Sequence, residues 1–368
     1  MKNYFLPLLT IFIFMESQAQ QHLNLIVGTY TNTCDSKGIY VYDFNTETAA
    51  FKLKANTERV VNPSYITVSD DNKFLYSVNE NGLESTVSSF KFDAKTGKTE
   101  FVNEQLAQGA DPCYILNDSK NVIVANYSGG TIAVFNKDSE GGLREAKQVI
   151  QHKGKSSNAK RQEKAHVHMV LFTPDRKFVV ANDLGTDHIY IYKYDPDAKE
   201  QVLQIKDSVA VKPGSGPRHI TFSKDGKFAY LIQELDGKIS IYTYDNGKLT
   251  FLNETSVVEP GFTGDISAAA IKISPDQRFV YATNRGTANT ISYYKRRRDG
   301  VLLYKGQTST LGKGPRDFTI DPTGKFLLVA HQNTNEVVIF SIDKASGKLT
   351  DTGKRIALCS PVNLVFTP

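Results

Sequence analysis

The chain contains no tryptophan, three cysteines and only one long apolar run, Met1 to Phe14, in 368 residues. Each shortage removes a class of protein. Without Trp, the tryptophan-aspartate repeat of the common interaction scaffolds cannot be present. Cys34, Cys113 and Cys359 are too few and too scattered for a zinc site or a disulfide framework. Beyond the N-terminus no stretch shows a helical period, which points to an all-β chain. There is no Gly-x-Ser-x-Gly elbow and no Ser or Cys in the setting of a covalent nucleophile, so chemistry by activated water is favoured. Gly214-Ser-Gly216-Pro217 leads into a strand, not a helix, and is no phosphate loop. The formal charge is +5, with basic clusters in residues 153–164 and at Lys295-Arg-Arg-Arg298. Neither cluster is interleaved with aromatics, and we expect solvated turns and no nucleic-acid partner.

What the chain does have is repetition. Six times it writes a Pro or turn, a short apolar strand, a Ser/Asp/Lys turn, and a strand ending in a polar residue. Pro63-Ser-Tyr-Ile-Thr-Val with Phe74-Leu-Tyr-Ser-Val-Asn79 is one copy, and Pro217-Arg-His-Ile-Thr-Phe with Phe228-Ala-Tyr-Leu-Ile-Gln233 is another. The others begin at Pro112, His166, Ala268 and Pro315. A step of about 50 residues belongs to propellers and solenoids. A seventh copy is split: Ser360-Pro-Val-Asn-Leu-Val-Phe-Thr-Pro368 supplies its first half and Leu23-Asn-Leu-Ile-Val-Gly-Thr29 its second. That split predicts a closed ring, a seven-bladed β-propeller of four-stranded antiparallel blades, with the C-terminal strand pairing into the N-terminal blade. The same closure brings Cys34 and Cys359 to one face, where a disulfide would lock the ring in an oxidising compartment.

The N-terminus carries one Lys, a short apolar run and Ser17-Gln-Ala19 as a small-x-small cleavage site. We read residues 1–19 as a secretory signal peptide and 20–368 as the propeller domain. The expectation is export to a secreted or periplasmic location with no stable membrane insertion after cleavage; without a working signal the chain would be cytoplasmic.

Register also locates a working face. In antiparallel pairs the start of one strand lies beside the end of the next, so residues just after the repeat Pro meet residues just after the repeat Asn. The first set is Ser64, Cys113, His168, Arg218, Ala269, Arg316 and Val362. The second is Glu80, Tyr127, Asp183, Glu234, Arg285 and Gln332, with Thr29 or Tyr30. Both sets are expected to ring one mouth of the channel. His168, Arg218, Glu234 and Arg285, from three consecutive blades, are the candidate catalytic group. Glu80, His166, Asp183, Arg316 and Gln332 are candidate substrate contacts, with His166 equally suited to orienting its neighbour. His219 is expected on the far side of its strand, as packing. His166-x-His168 invites a metal, but no third ligand is evident, and we expect neither metal nor cofactor.

The phrases Gly28-Thr-Tyr-Thr31, Asn62-Pro-Ser-Tyr65, Asn79-Glu80, His166-Val-His168, Gly216-Pro-Arg-His219, Gln233-Glu-Leu235, Ser274-Pro-Asp276, Asn284-Arg-Gly286 and Gly314-Pro-Arg316 resemble the seven-bladed lactonase propellers. That family includes a bacterial 6-phosphogluconolactonase and a fungal enzyme that cyclises 3-carboxymuconate. The likeness runs from about residue 23 to the end, in register with the repeat. It implies a small-molecule lactone as substrate, 6-phosphogluconolactone first, and matches His168, Arg218 and Glu234 to the proposed catalytic residues of the cyclising branch, with Arg285 as the fourth. Gln233 stands where the family usually has Asn. These residue types suit lactone hydrolysis, which needs a base for water, donors for the oxyanion and an acid for the leaving ring oxygen. Glu234 is the expected base and His168 the second proton-transfer group, or the reverse, with Arg218 and Arg285 as clamps. The alternatives are a non-catalytic propeller that binds a sugar, glycan or protein at this mouth, and a muconate-type cycloisomerase. Residues 151–164, directly before His166, are positioned to act as a lid.

Overall fold

The computed structural model describes residues 21–57 and 60–368, so the leader read in residues 1–19 lies outside the described residues. Seven four-stranded antiparallel sheets are arranged in sequence. Blade 1 is composite: Pro361–Thr367 is its innermost strand and His22–Thr29 its second, paired from Asn24↔Thr367 to Thr29↔Pro361. Blades 2 to 7 start with Pro63–Val68, Pro112–Asn117, Val167–Phe172, Pro217–Phe222, Ala268–Ile273 and Pro315–Ile320. Ring closure and blade number are as the split repeat predicts.

Stacking around an axis explains why the repeat is legible. The second strand of each blade is covered by neighbouring blades on both faces and reads as an unbroken apolar run; Phe178–Asp183 and Phe326–His331 are buried throughout. The outermost strands are half wet. Lys248–Ser256 is exposed over most of its length and runs past Leu252, where alternation in the sequence fades. The Ser/Asp turn between the first two strands is built by side chains. Ser69 Oγ donates to Asp71 Oδ1 at 2.6 Å, as do Ser223 to Asp225 at 2.5 Å and Ser274 to Asp276 at 2.6 Å. Such side-chain turns compete successfully with strand pairing and stop the strand there.

Cys34 and Cys359, 325 residues apart, form a disulfide beside the closing strand pair. Replacing both by Ser is expected to cost about 2–5 kcal/mol. The check is the denaturant midpoint in non-reducing buffer, together with loss of the wild type's sensitivity to reductant. An unchanged midpoint would show that strand pairing alone closes the ring.

All seven innermost strands carry an irregularity at the same place. Pairing jumps from Val167 to Met169, from Pro217 to His219 and from Pro315 to Asp317, with equivalents in the other four blades. The skipped residues in those three strands, His168, Arg218 and Arg316, are β-bulges, which re-aim side chains and sharpen local twist. This corrects the reading of His219. Simple alternation would turn it from the channel, but after the bulge it packs across the axis against Tyr65 and Tyr114, which come from blades on the other side of the ring. His219 therefore helps plug the channel, with its ring 5.2 Å from that of His168 above.

Candidate active site

Above that plug lies a cavity of about 230 Å³, and every blade contributes to its wall. Tyr30 comes from blade 1, Glu80 from blade 2, Cys113, Tyr127 and Ser128 from blade 3, and His168 from blade 4. Glu234, Arg285 and Arg316 follow from blades 5, 6 and 7, with Asp111 and Arg161 from connecting segments. Residues of both register sets, among them Glu80, His168, Glu234, Arg285 and Arg316, thus come together at one end of the channel.

The cavity has two unlike halves. On one, Glu234 is almost wholly buried and is held by three guanidinium groups: Arg161 Nη2 at 2.6 Å, Arg218 Nε at 2.8 Å and Arg285 Nη2 at 2.9 Å. Burial opposes ionisation, but Arg285, Arg218 and Arg161 outweigh it and pull the carboxyl down to about 2. Glu234 is a fixed anion. Arg285 Nη2, although close to Glu234, lacks a hydrogen-bonding angle to any acceptor, which leaves a buried donor unspent at the cavity wall.

Arg218 departs from expectation. It does not line the cavity. It lies beneath Glu234, 1% exposed, bonded to Glu234 and to the carbonyl of Ala269 at 2.5 Å. Burial and Arg285 lower its pKa, to about 9, which still leaves it cationic at neutral pH. It is a positioning residue for Glu234, not a clamp on substrate.

His168 lines the cavity with its Nδ1 buried and without a partner among the described residues. Burial first, then Arg218, Arg316 and Arg285, push its pKa well below the usual imidazole value, so the ring is neutral. Beside it, burial pushes the Cys113 thiol up, and that thiol donates to the carbonyl of His168 at 3.3 Å. A buried neutral thiol is no nucleophile.

Three expected contacts lie elsewhere. Asp183 is fully buried and both its oxygens are taken: Oδ2 by His152 Nδ1 at 2.9 Å, and Oδ1 by the backbone N–H groups of His166, Gly185 and Thr186 at 2.8, 3.0 and 3.1 Å. It ties the insertion to blade 4. Gly185 is required there, because a Cβ would sit 1.9 Å from the carbonyl oxygen of Lys164. His166 stacks on Tyr127 at 4.6 Å between centroids and pairs with Glu163 at 3.1 Å, propping the cavity wall without lining it. Gln332 faces a shallower, uncharged neighbouring cavity of about 480 Å³ that meets the first at Tyr30. Glu80 and Arg316 do line the site.

Arg161 and Asp111 were not singled out from the sequence. Arg161 belongs to the basic cluster in the 151–164 insertion, and its place before His166 was the available signal. The insertion is anchored by Ser156 Oγ on Asp187 at 2.5 Å and by Gln162 Nε2 on the carbonyl of Leu184 at 2.9 Å. From there Arg161 reaches over the rim to Tyr127 Oη at 3.0 Å and to Glu234, with 41% of its side chain still exposed. Among the described residues no three His, Cys, Asp or Glu side chains converge as a metal-binding set.

The sequence pattern described as "Lactonase, 7-bladed beta-propeller" matches residues 24–366. The chain belongs to that family. A 6-phosphogluconolactonase of Bacillus subtilis is 35% identical over 344 residues, 92% of this chain and 97% of the relative. One from Formosa agariphila is 36% identical over 332 residues, covering 88% and 94%. Among solved structures, a Bacteroides fragilis protein provisionally described as a 6-phosphogluconolactonase superposes with a TM-score of 0.92 at 41% identity, covering 96% of this chain and 99% of its own. A periplasmic gluconolactonase of Pseudomonas aeruginosa superposes at 0.88 with 34% identity, covering 94% and 99%. In this lactonase fold the charged side chains described above ring the axial cavity.

Proposed function

We propose that this lactonase hydrolyses a sugar lactone in the axial cavity, with 6-phosphogluconolactone, opened to 6-phosphogluconate, as the first candidate. The observation that carries the reading is a small cavity in which arginines face a neutral imidazole, with an anion held permanently beneath them. Arg161, Arg285 and Arg316 supply cations for a phosphate or a developing oxyanion, and a preorganised charge of this kind is the largest usual source of ester-hydrolysis catalysis. The base role moves from Glu234 to His168. A carboxylate held by three arginines has little affinity for a proton, whereas the neutral ring can accept one from water. Anionic substrate offsets the arginines that depress His168, which brings the base closer to its working range. Glu234 fixes the arginines in place.

We further infer export. The support is the leader-like composition of residues 1–19 and a disulfide of the kind that persists in oxidising compartments. An exported enzyme would meet unphosphorylated lactones too, and Arg161 separates the cases. Acid release is measured with a pH indicator on 6-phosphogluconolactone, gluconolactone and valerolactone, against protein-free blanks. Arg161→Ala is expected to raise KM for the phosphorylated lactone by about 10-fold to 100-fold, the worth of one charge-assisted hydrogen bond, and to change the unphosphorylated ones far less. Equal changes on all three would remove the phosphate from the proposal. Rates equal to the blank throughout would leave a binding propeller as the better account.

A further inference from the structure

The half of the cavity opposite Glu234 contains a second carboxyl group in a different setting. Glu80 directly follows Phe74–Asn79, the second strand of blade 2, three blades from Glu234 around the ring. Its backbone is held on both sides: its N–H donates to the carbonyl of Asn62 at 3.2 Å, and its carbonyl accepts from Asn62 Nδ2 at 2.8 Å. Its carboxyl takes the Tyr30 hydroxyl at 3.1 and 3.3 Å, and 17% of the side chain is exposed. The nearest cation, Arg316 Nη2, stands 4.0 Å away, beyond hydrogen-bonding distance. Asp111 faces Glu80 from the connection to blade 3. Of these carboxyl groups, Glu234 is therefore clamped by three guanidinium groups, whereas Glu80 accepts from a neutral phenol. Such opposed surroundings for Glu234 and Glu80 in one site mark a division between fixed charge and proton carrier.

Resting on the lactonase reading above, we propose that Glu80 is the proton donor to the ring oxygen that leaves when the lactone opens. Water attacks the carbonyl carbon as His168 takes its proton, forming the new C–O bond and an oxyanion facing Arg285. Collapse of that intermediate breaks the bond from carbonyl carbon to ring oxygen, and the ring oxygen takes the Glu80 proton to become a hydroxyl. His168 returns its proton to the Glu80 carboxylate through solvent, and the product acid ionises, so one water is consumed and one proton released. Burial raises the Glu80 pKa; Arg316, Ser64 and Tyr30 pull against it, Asp111 adds to it, and the net direction is up. Tyr30 keeps the carboxyl aimed inward, because its own N–H is fixed to the carbonyl of Ser360 at 3.0 Å beside the disulfide.

A leaving-group comparison tests this. A sugar lactone releases an alkoxide that must be protonated, whereas an aryl lactone such as dihydrocoumarin releases a phenoxide that need not be. Glu80→Gln is expected to lose about 10²-fold to 10⁴-fold in kcat on the sugar lactone and much less on the aryl lactone. The alkaline limb of the wild-type kcat profile should vanish with it, and Glu80→Asp should restore part of both. Tyr30→Phe removes a donor to the carboxylate and should move that limb to higher pH, an effect that mere loss of folding would not produce. Equal loss on the two lactones, an unmoved alkaline limb, or full activity of Glu80→Gln overturns the proposal. If only the sugar lactone turns over, the pH limb decides in the same way. A wild type no faster than the blank removes this step together with the lactonase reading beneath it.

Discussion

Glu234→Gln is expected to abolish most lactone hydrolysis and to destabilise the fold at the same time. Glu234 meets Arg161, Arg218 and Arg285 within 2.9 Å, and Arg218 is 1% exposed, with no other carboxylate among its ion pairs to the described residues. Removing one partner of a buried ion pair leaves an uncompensated charge, at a cost of about 3–5 kcal/mol. The arginines it held would drift, and misplacement of positioning groups by about 1 Å costs about 10²-fold in rate. The pairing of effects is the diagnostic feature. Adding Arg218→Met to Glu234→Gln removes the more deeply buried of the stranded charges and should recover part of the stability with none of the activity. Chemical unfolding and acid-release rates on the single and double variants check this. A Glu234→Gln protein as active and stable as wild type would refute the anchoring role.

Stability should also fall as pH drops from 7 to 4. His168, His219 and His331 all have folded pKa values below their unfolded ones; burial is the largest cause in each. The stability contributed by a neutral buried imidazole is complete above the unfolded value of 6.5. It is lost as pH falls from there toward the folded value, because the unfolded chain takes up protons first. His331 is fully buried, neither of its ring nitrogens has a hydrogen-bond partner among the described residues, and its folded pKa is about 4. It alone accounts for about 3 kcal/mol lost by pH 4. Glu80, with a raised carboxyl, works in the opposite direction, whereas Glu234, held down to about 2, adds to the loss once pH falls through the ordinary carboxylate value of 4.5. Unfolding midpoints at pH 7, 5.5 and 4.5 for wild type and His331→Asn should show a steep wild-type decline and a shallower one in the variant. A flat wild-type profile would mean that water or rearrangement satisfies these rings.

The ring of blades was legible because each central strand is covered on both faces and must be apolar, and because the turns that end it are built from side chains. The mouth was legible because strand register places the residues after Pro and after Asn at the same end. Depth was not. Arg218 and Arg316 occupy the same slot of the repeat, yet one lies beneath a carboxylate and the other faces the cavity, because Arg218 meets Glu234 of its own blade whereas the equivalent Gln332 of blade 7 faces the neighbouring cavity. Asp183 and Glu234 also share a slot. Asp183 has the shorter side chain and folds back onto the N–H groups of its own turn, as Asp commonly does, while Glu234, one methylene longer, reaches the axis. Arg161 sits in an irregular insertion with no repeat register, so only its charge and its nearness to His166 pointed to it.

The measurement that bears most directly on the account is the initial rate of acid release from 6-phosphogluconolactone by wild type and by His168→Gln, each at equal concentration and against a protein-free blank. The account predicts release well above the blank for wild type and a rate for His168→Gln reduced by about 10²-fold or more, with the variant folded by circular dichroism. A folded His168→Gln protein as fast as wild type would place the chemistry outside this cavity, and a wild type equal to the blank would contradict hydrolysis of this lactone.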